Sequence, residues 1–170
     1  VRFLPAPPSS GVVFVRADLP GRPRLAALVN QVTGTNRRTT LGRPPIQVTL
    51  VEHVLASLAG LRIDNCIIEL DAIEPPGLDG SANGFVQALV MAGFREQEAR
   101  CSVWGVTEPV TVESGGATLT LHPPTEDNAT SLTMSYFLDY GHDVPIIRQV
   151  YTQSITPGVF LRESAPCRTF

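Results

Sequence analysis

Cysteine is scarce in this sequence and badly spaced for a scaffold. The 170 residues hold three, Cys66, Cys101 and Cys167. An odd number without a Cys-x-x-Cys pair excludes a disulfide framework and a cysteine zinc knuckle. Few, distant thiols suit a reducing, cytoplasmic setting, and each reads as a small buried apolar side chain. Charge of one sign is lacking too. Thirteen Lys and Arg against 16 Asp and Glu leave a net charge of −3, which is no basic field for nucleic acid or anionic lipid. No run approaches the roughly 20 apolar residues of a membrane-spanning helix. The opening Val1-Arg2-Phe3-Leu4-Pro5 has no apolar signal-peptide core.

What is present is the makings of a core. Hydrophobic residues make up 43% and charged residues 17%, enough for one full domain, or for a small domain and part of another. The first residue is not Met and lies inside what reads as a strand, while Cys167-Arg168-Thr169-Phe170 follows no closing element. Both ends read as cut, so a fragment of a longer polypeptide is expected.

Proline and glycine divide the chain. Val1–Leu4 and Gly11–Asp18 read as strands, and Leu25–Val32 fits a strand or a short helix. Residues 34–45 are polar and rich in Thr, Arg, Gly and Pro, a loop or hairpin long enough to carry function. Thr49–Leu61 is the clearest helix, with Val51, Val54, Leu55, Leu58 and Leu61 at three- and four-residue spacing and Gly60 as its stop. Thr49 with Glu52 three residues on is the capping-box pattern. Asn65–Leu70 is a strand, and Glu74–Ser81 a turn-rich loop. Asn83–Ala92 is a second helix capped by Ser81, with Phe85, Val86, Leu89 and Val90 on one side.

Beyond Gly93 the pattern restarts, with strands expected at Val103–Val112, Ala117–Leu121, Ser131–Leu138 and Gln149–Ser154. Arg2-Phe3-Leu4-Pro5-Ala6-Pro7 and Thr120-Leu121-His122-Pro123-Pro124 are both strands broken by prolines, a weak internal repeat. The fold class is therefore α+β, sheets with helices on one face. Two domains of similar plan are expected, residues 1–98 nearly complete and 99–170 the start of a second whose helices are missing.

Chemistry centres on Glu52 and His53, adjacent in the first turn of the first helix. Neighbours on a helix point about 100° apart, so they flank a point rather than converge on it. Histidine as metal ligand beside glutamate as general base is one workable arrangement. Zinc lowers the pKa of a water it binds toward about 7, and a nearby carboxylate takes the proton. Spacing alone favours a plainer reading. Glu52 completes a capping box, and His53 is a satisfied polar residue at a helix end. A catalytic zinc takes three protein ligands, and neither His122 nor His142 has ligand-type spacing to His53. No Ser/His/Asp cue, phosphate loop or His-Glu-x-x-His helix is present.

The segment Val51-Glu52-His53-Val54-Leu55-Ala56-Ser57-Leu58-Ala59-Gly60-Leu61-Arg62-Ile63-Asp64-Asn65 resembles the signature of the zinc-dependent UDP-3-O-acyl-N-acetylglucosamine deacetylases. Asn36-Arg37-Arg38-Thr39-Thr40-Leu41-Gly42 resembles the loop before that signature, and Glu74-Pro75-Pro76-Gly77-Leu78-Asp79-Gly80-Ser81-Ala82 the block after it. Leu138-Asp139-Tyr140-Gly141-His142 and Arg168-Thr169-Phe170 resemble later blocks, all in family order.

This resemblance implies two domains of ribosomal S5 domain 2-like fold. It implies hydrolysis of the 2-acetamido group of an acylated UDP-sugar, the committed step of lipid A biosynthesis. It assigns His53 as a zinc ligand and Glu52 as the base that activates water. Thr169 would polarise the carbonyl and stabilise the oxyanion, and Phe170 would contact substrate. Arg38 stands where many members carry cysteine, either as a cation toward the anionic UDP-sugar or as a plain surface residue. Leu50 replaces the usual hydroxyl residue before Val51. Asp79-Gly80-Ser81 reads as a turn with an N-cap, and His142 as a structural residue or one that supports the site without touching substrate.

The family's other zinc ligands, a histidine and an aspartate, and a further histidine acid, have no match here. Zinc is the implied cofactor, with its remaining ligands outside this chain, and the chain alone is expected to be inactive. The other readings are a non-catalytic deacetylase-like half that binds a nucleotide sugar or a partner protein, and an unrelated α+β enzyme for which the ordered blocks would be coincidence.

Overall fold

The computed structural model describes residues 1–125, 131–142 and 144–169. The chain is mixed α+β and divides into two compact units, Val1–Cys101 together with the segment from Pro157 onward, and Ser102–Thr156.

The first unit is organised by β7 (Cys66–Leu70), whose Cys66, Ile68 and Leu70 are buried while Ile67 and Glu69 are half-buried. That period-2 alternation is what a strand facing a core requires. β7 lies between β1 (Arg2–Pro5), which is antiparallel to it, and β2 (Val12–Arg16), which is parallel. β2 pairs on its other edge with β3 (Arg24–Ala26), completing the order β1-β7-β2-β3. Parallel neighbours need a crossover, and the chain between β2 and β7 supplies it. That stretch holds a second sheet of β4 (Val32–Gly34), β5 (Thr40–Arg43) and β6 (Ile46–Val48), then helix α1 (Glu52–Gly60). Helix α2 (Asn83–Ala92) follows β7.

The core is built from the apolar stripes of these elements. Phe14 and Ile68, register partners across β2 and β7, have no exposed surface. Val51, Val54, Leu58 and Leu61 of the α1 region are buried with Phe85, Val86 and Leu89 of α2. Phe3 and Phe85 meet edge to face, 6.3 Å between ring centres. A short helix, α3 (Pro157–Val159), runs into a π-helical turn at Phe160–Ser164. It adds buried Phe160 and Ala165 to the same core. Gly60 admits it, since a Cβ there would overlap the Phe160 ring.

The second unit contains two antiparallel hairpins among the described residues, β8 (Val110–Ser114) with β9 (Ala117–Leu121) and β10 (Leu132–Leu138) with β11 (Gln149–Ile155). Gly115 and Gly116, both at positive φ, form the turn of the first.

Several expectations need correction. β8 starts at Val110, not Val103, and residues 103–109 form no strand. Gly105 and Pro109 interrupt that stretch, and Pro lacks the N–H a ladder needs. Residues 25–32 form no single element: they hold the end of β3, a 3-10 turn at Val29–Gln31 and the first residue of β4. Val90 is exposed rather than on the buried side of α2. Cys66 is buried as expected, but Cys101 and Cys167 are exposed.

Candidate active site

The expected capping box is not made. α1 begins at Glu52 without a side-chain cap. The Thr49 hydroxyl instead donates to Glu74 Oε2 at 2.9 Å, and the Glu52 carboxylate accepts the Thr39 N–H at 3.0 Å. Tertiary partners have separated two residues that local spacing would pair. Glu52 remains in the first helical turn, where the helix dipole favours an anion. Leu50, at φ 55°, turns the chain from β6 into α1 in a conformation that costs a non-glycine residue.

His53 is half-buried on the next position of α1. Its carbonyl accepts the Ser57 hydroxyl at 2.7 Å, but its imidazole makes no hydrogen bond or ion pair among the described residues. An accessible imidazole without a competing partner, one residue from a carboxylate, fits part of a zinc site. No group of three or more His, Cys, Asp or Glu that could hold a metal occurs among the described residues, whereas a catalytic zinc takes three protein ligands. His122 and His142 are exposed residues of the second unit.

Arg38 is exposed and pairs through Nη1 with Glu74 Oε2 at 3.0 Å. One carboxylate oxygen of Glu74 therefore serves both Arg38 and Thr49. The loop before the helix, the helix start and the Glu-Pro-Pro turn are drawn together around Glu52.

A second cluster forms at Asp79-Gly80-Ser81. Asp79 Oδ1 accepts the Ser81 amide at 3.1 Å and hydroxyl at 2.7 Å, while Ser81 Oγ accepts the Asn83 N–H at 3.1 Å. Ser81 was expected to be the N-cap of α2, but the N-cap position is Ala82, one residue later and without a side-chain cap, and Ser81 meets the helix start only through the Asn83 N–H. The Ser81 hydroxyl and amide, with Arg168 near Asp79 Oδ2 at 3.8 Å, hold the Asp79 carboxyl below the usual carboxylate range. Thr169 docks on the same turn, its N–H and hydroxyl reaching the Gly80 carbonyl at 2.9 Å and 3.3 Å. Gly80, at φ 80°, is needed there because a Cβ would also lie 3.3 Å from the Thr169 carbonyl oxygen. Phe170 lies outside the described residues.

No hydrogen bond or ion pair among the described residues joins Thr169 to Glu52 or His53. Between the two clusters lies Ser57, which is fully buried and whose hydroxyl reaches the carbonyls of His53 and, at 3.3 Å, Ala82. Sequence reasoning had given Glu74 no role and had missed the Thr39 amide.

Comparison with known proteins completes the picture. The sequence model of the LpxC family, UDP-3-O-acyl N-acetylglycosamine deacetylase, matches residues 1–170. A UDP-3-O-acyl-N-acetylglucosamine deacetylase of Myxococcus xanthus is 40% identical over 98% of this chain and 51% of its own length. One from Bdellovibrio bacteriovorus is 36% identical over 99% of the chain and 54% of its length. The bifunctional enzyme LpxC/FabZ of Chlorobaculum tepidum is 37% identical over the whole chain and 36% of its length. The chain thus spans about half, or less, of the length of these curated relatives.

Proposed function

Since the chain belongs to the UDP-3-O-acyl N-acetylglycosamine deacetylase family, we propose that it supplies one wall of an amide-hydrolysing site. That site would remove the acetyl group from the 2-acetamido nitrogen of UDP-3-O-acyl-N-acetylglucosamine, in lipid A biosynthesis. The observation that carries this reading is the Glu52 carboxylate, fixed by the Thr39 N–H at 3.0 Å, beside a His53 imidazole that has no hydrogen-bond or ion-pair partner among the described residues.

In this reading His53 would hold zinc, with the remaining ligands outside these residues. Bound zinc supplies Lewis acidity and lowers the pKa of water toward about 7. Glu52 would take the proton of the attacking water on a carboxylate oxygen, and the departing amine nitrogen would receive its proton from the histidine acid that lies outside these residues. Thr169 donates toward the carbonyl oxygen as charge develops there. Arg38 and Phe170 line the approach of the nucleotide sugar, Arg38 by charge and Phe170 by contact.

The reading extends to a two-domain, ribosomal S5 domain 2-like plan with a second domain opening near residue 99, and to a cytoplasmic setting. No helix among the described residues is long and apolar enough to cross a membrane.

The test is substitution in the gene product that carries this sequence. Glu52→Gln should lower deacetylation by about 10²–10⁴-fold, the range for loss of a general base, with zinc content retained. His53→Ala should lose both zinc and turnover. Zinc and turnover retained in both variants would refute the site.

A further inference from the structure

We propose that Glu74 is a positioning residue for the Glu52 carboxylate, acting through Arg38 and Thr49. The proposal rests on the reading of Glu52 as the base. Glu52 stands between two segments, the residue that ends the β6 connection, Thr49, and the loop that carries its hydrogen-bond donor, Thr39. A single oxygen of Glu74 ties down both, accepting from Thr49 Oγ1 at 2.9 Å and from Arg38 Nη1 at 3.0 Å. The residue after Arg38 is Thr39, whose N–H meets Glu52 Oε2 at 3.0 Å.

Neither segment is at rest by itself. Arg37, at φ 58°, and Leu50, at φ 55°, are non-glycine residues in the left-handed region. Such conformations persist only where the surroundings over-determine them. Glu74 is well placed to do so. It precedes Pro75, which confines it to extended backbone, and Pro75 is buried. The preceding residue, Ile73, accepts the Thr49 N–H at 3.0 Å, so the strap is backbone-paired to the helix entry.

Stability is a poor explanation for the Arg38 half of this arrangement. Arg38 and Glu74 keep 52% and 39% of their side-chain surface exposed, and pairs so exposed to water add little. What the shared oxygen does supply is a fixed distance between the donor loop and the helix start, and hence a fixed direction for the Glu52 carboxylate. Supporting contacts of this kind set activity through the geometry of the group they hold.

The experiment is a mutant cycle in the gene product that carries this sequence, assayed by deacetylation of UDP-3-O-acyl-N-acetylglucosamine. Glu74→Ala is expected to lower kcat roughly tenfold to a hundredfold, leaving zinc content near wild type. Glu74→Gln, which still offers an oxygen to both donors, should recover most of that loss. In a Glu52→Gln background, Glu74→Ala should have no further effect, because the group it positions has gone. An equal factor in both backgrounds, or a loss confined to KM, would overturn the proposal. If Glu74→Ala does not fold, Thr49→Val, which removes one of the two bonds, is read by the same criteria. Near-normal turnover in Glu52→Gln alone would instead show that the base itself is misassigned, and the proposal would fall with it.

Discussion

Gly60, the last residue of α1, lies against the ring of Phe160 on the face where a Cβ would stand. Phe160 is 8% exposed and belongs to the same core as Val54 and Leu58. A methyl group at residue 60 has nowhere to go without moving the ring. Gly60→Ala is therefore expected to destabilise the fold by about 1–3 kcal/mol, the usual cost of overpacking. Helix propensity alone would predict a gain from the same change, so the sign is informative. Urea unfolding measures it, and Phe160→Leu in the Gly60→Ala background should restore part of the loss. An unchanged or raised midpoint for Gly60→Ala would deny the close approach.

The Asp79 carboxylate gives a pH signature. Its folded-state pKa is depressed by the Ser81 hydroxyl and amide and by Arg168. A depressed carboxyl stabilises fully above its unfolded value of about 3.9 and loses that contribution as pH falls through the lower folded value. Wild type should thus exceed Asp79→Ala in urea midpoint at pH 7, and the gap should narrow as the pH is lowered below about 4. A gap constant down to pH 3 would mean that the charge contributes nothing.

The apolar logic of this fold was legible in sequence, and its polar logic much less so. Val51, Val54, Leu58 and Leu61 announce α1 by spacing, and all four are buried. Cys66, Ile68 and Leu70 announce β7 by alternation. Thr49 and Glu52 misled, because a capping box is a local pattern and both side chains are taken by partners distant in sequence, Glu74 and Thr39. β6 was invisible because Ile46-Gln47-Val48 is too short to show a period, and only pairing with β5 makes it a strand. At the candidate site, Glu52 and His53 emerged from spacing as no more than an ambiguous pair, and the family signature selected between the readings. The Thr39 contribution could not be read at all, since a backbone N–H has no residue-type signature.

The exposed thiols offer a chemical test of the surface near the end of the first unit. Asp64, whose Oδ1 is 3.7 Å from the Cys101 sulfur, raises the Cys101 thiol pKa by its charge. Since the thiolate is the nucleophile, Asp64→Asn should speed alkylation of Cys101 at neutral pH. The gain should be at most about fivefold, as expected for a charge exposed to water. Cys66, buried and with its thiol pKa pushed up by that burial, should react only on unfolding. Mass spectrometry of iodoacetamide-treated protein reads all sites at once. A rate for Cys101 unaffected by Asp64→Asn would remove the assigned cause.

Arg16 should prove one of the costlier polar residues to replace. It is 6% exposed, grips both oxygens of Asp18 at 2.9 Å and 2.7 Å, and donates to the Gln47 carbonyl at 2.6 Å, joining β2 to β6. Arg16→Met is expected to cost about 1.5–3 kcal/mol, the range for losing hydrogen bonds to charged groups. Arg16→Lys should recover little, because an ammonium cannot reproduce the planar fork. Equal urea midpoints for wild type and Arg16→Met would show the cluster to be dispensable.

The packing of Phe160 and Ala165 also sets an order of events during synthesis. The sheet, α1 and α2 are complete in sequence by Ala92, yet the core they share is closed by residues that follow the whole of Ser102–Thr156. At roughly 5–20 residues per second, the ribosome takes on the order of 3–13 s to go from Cys101 to Ala165. Throughout that interval the nascent first unit holds an open apolar slot above Gly60, which its own later segment must reach before a chaperone or another unfolded chain does.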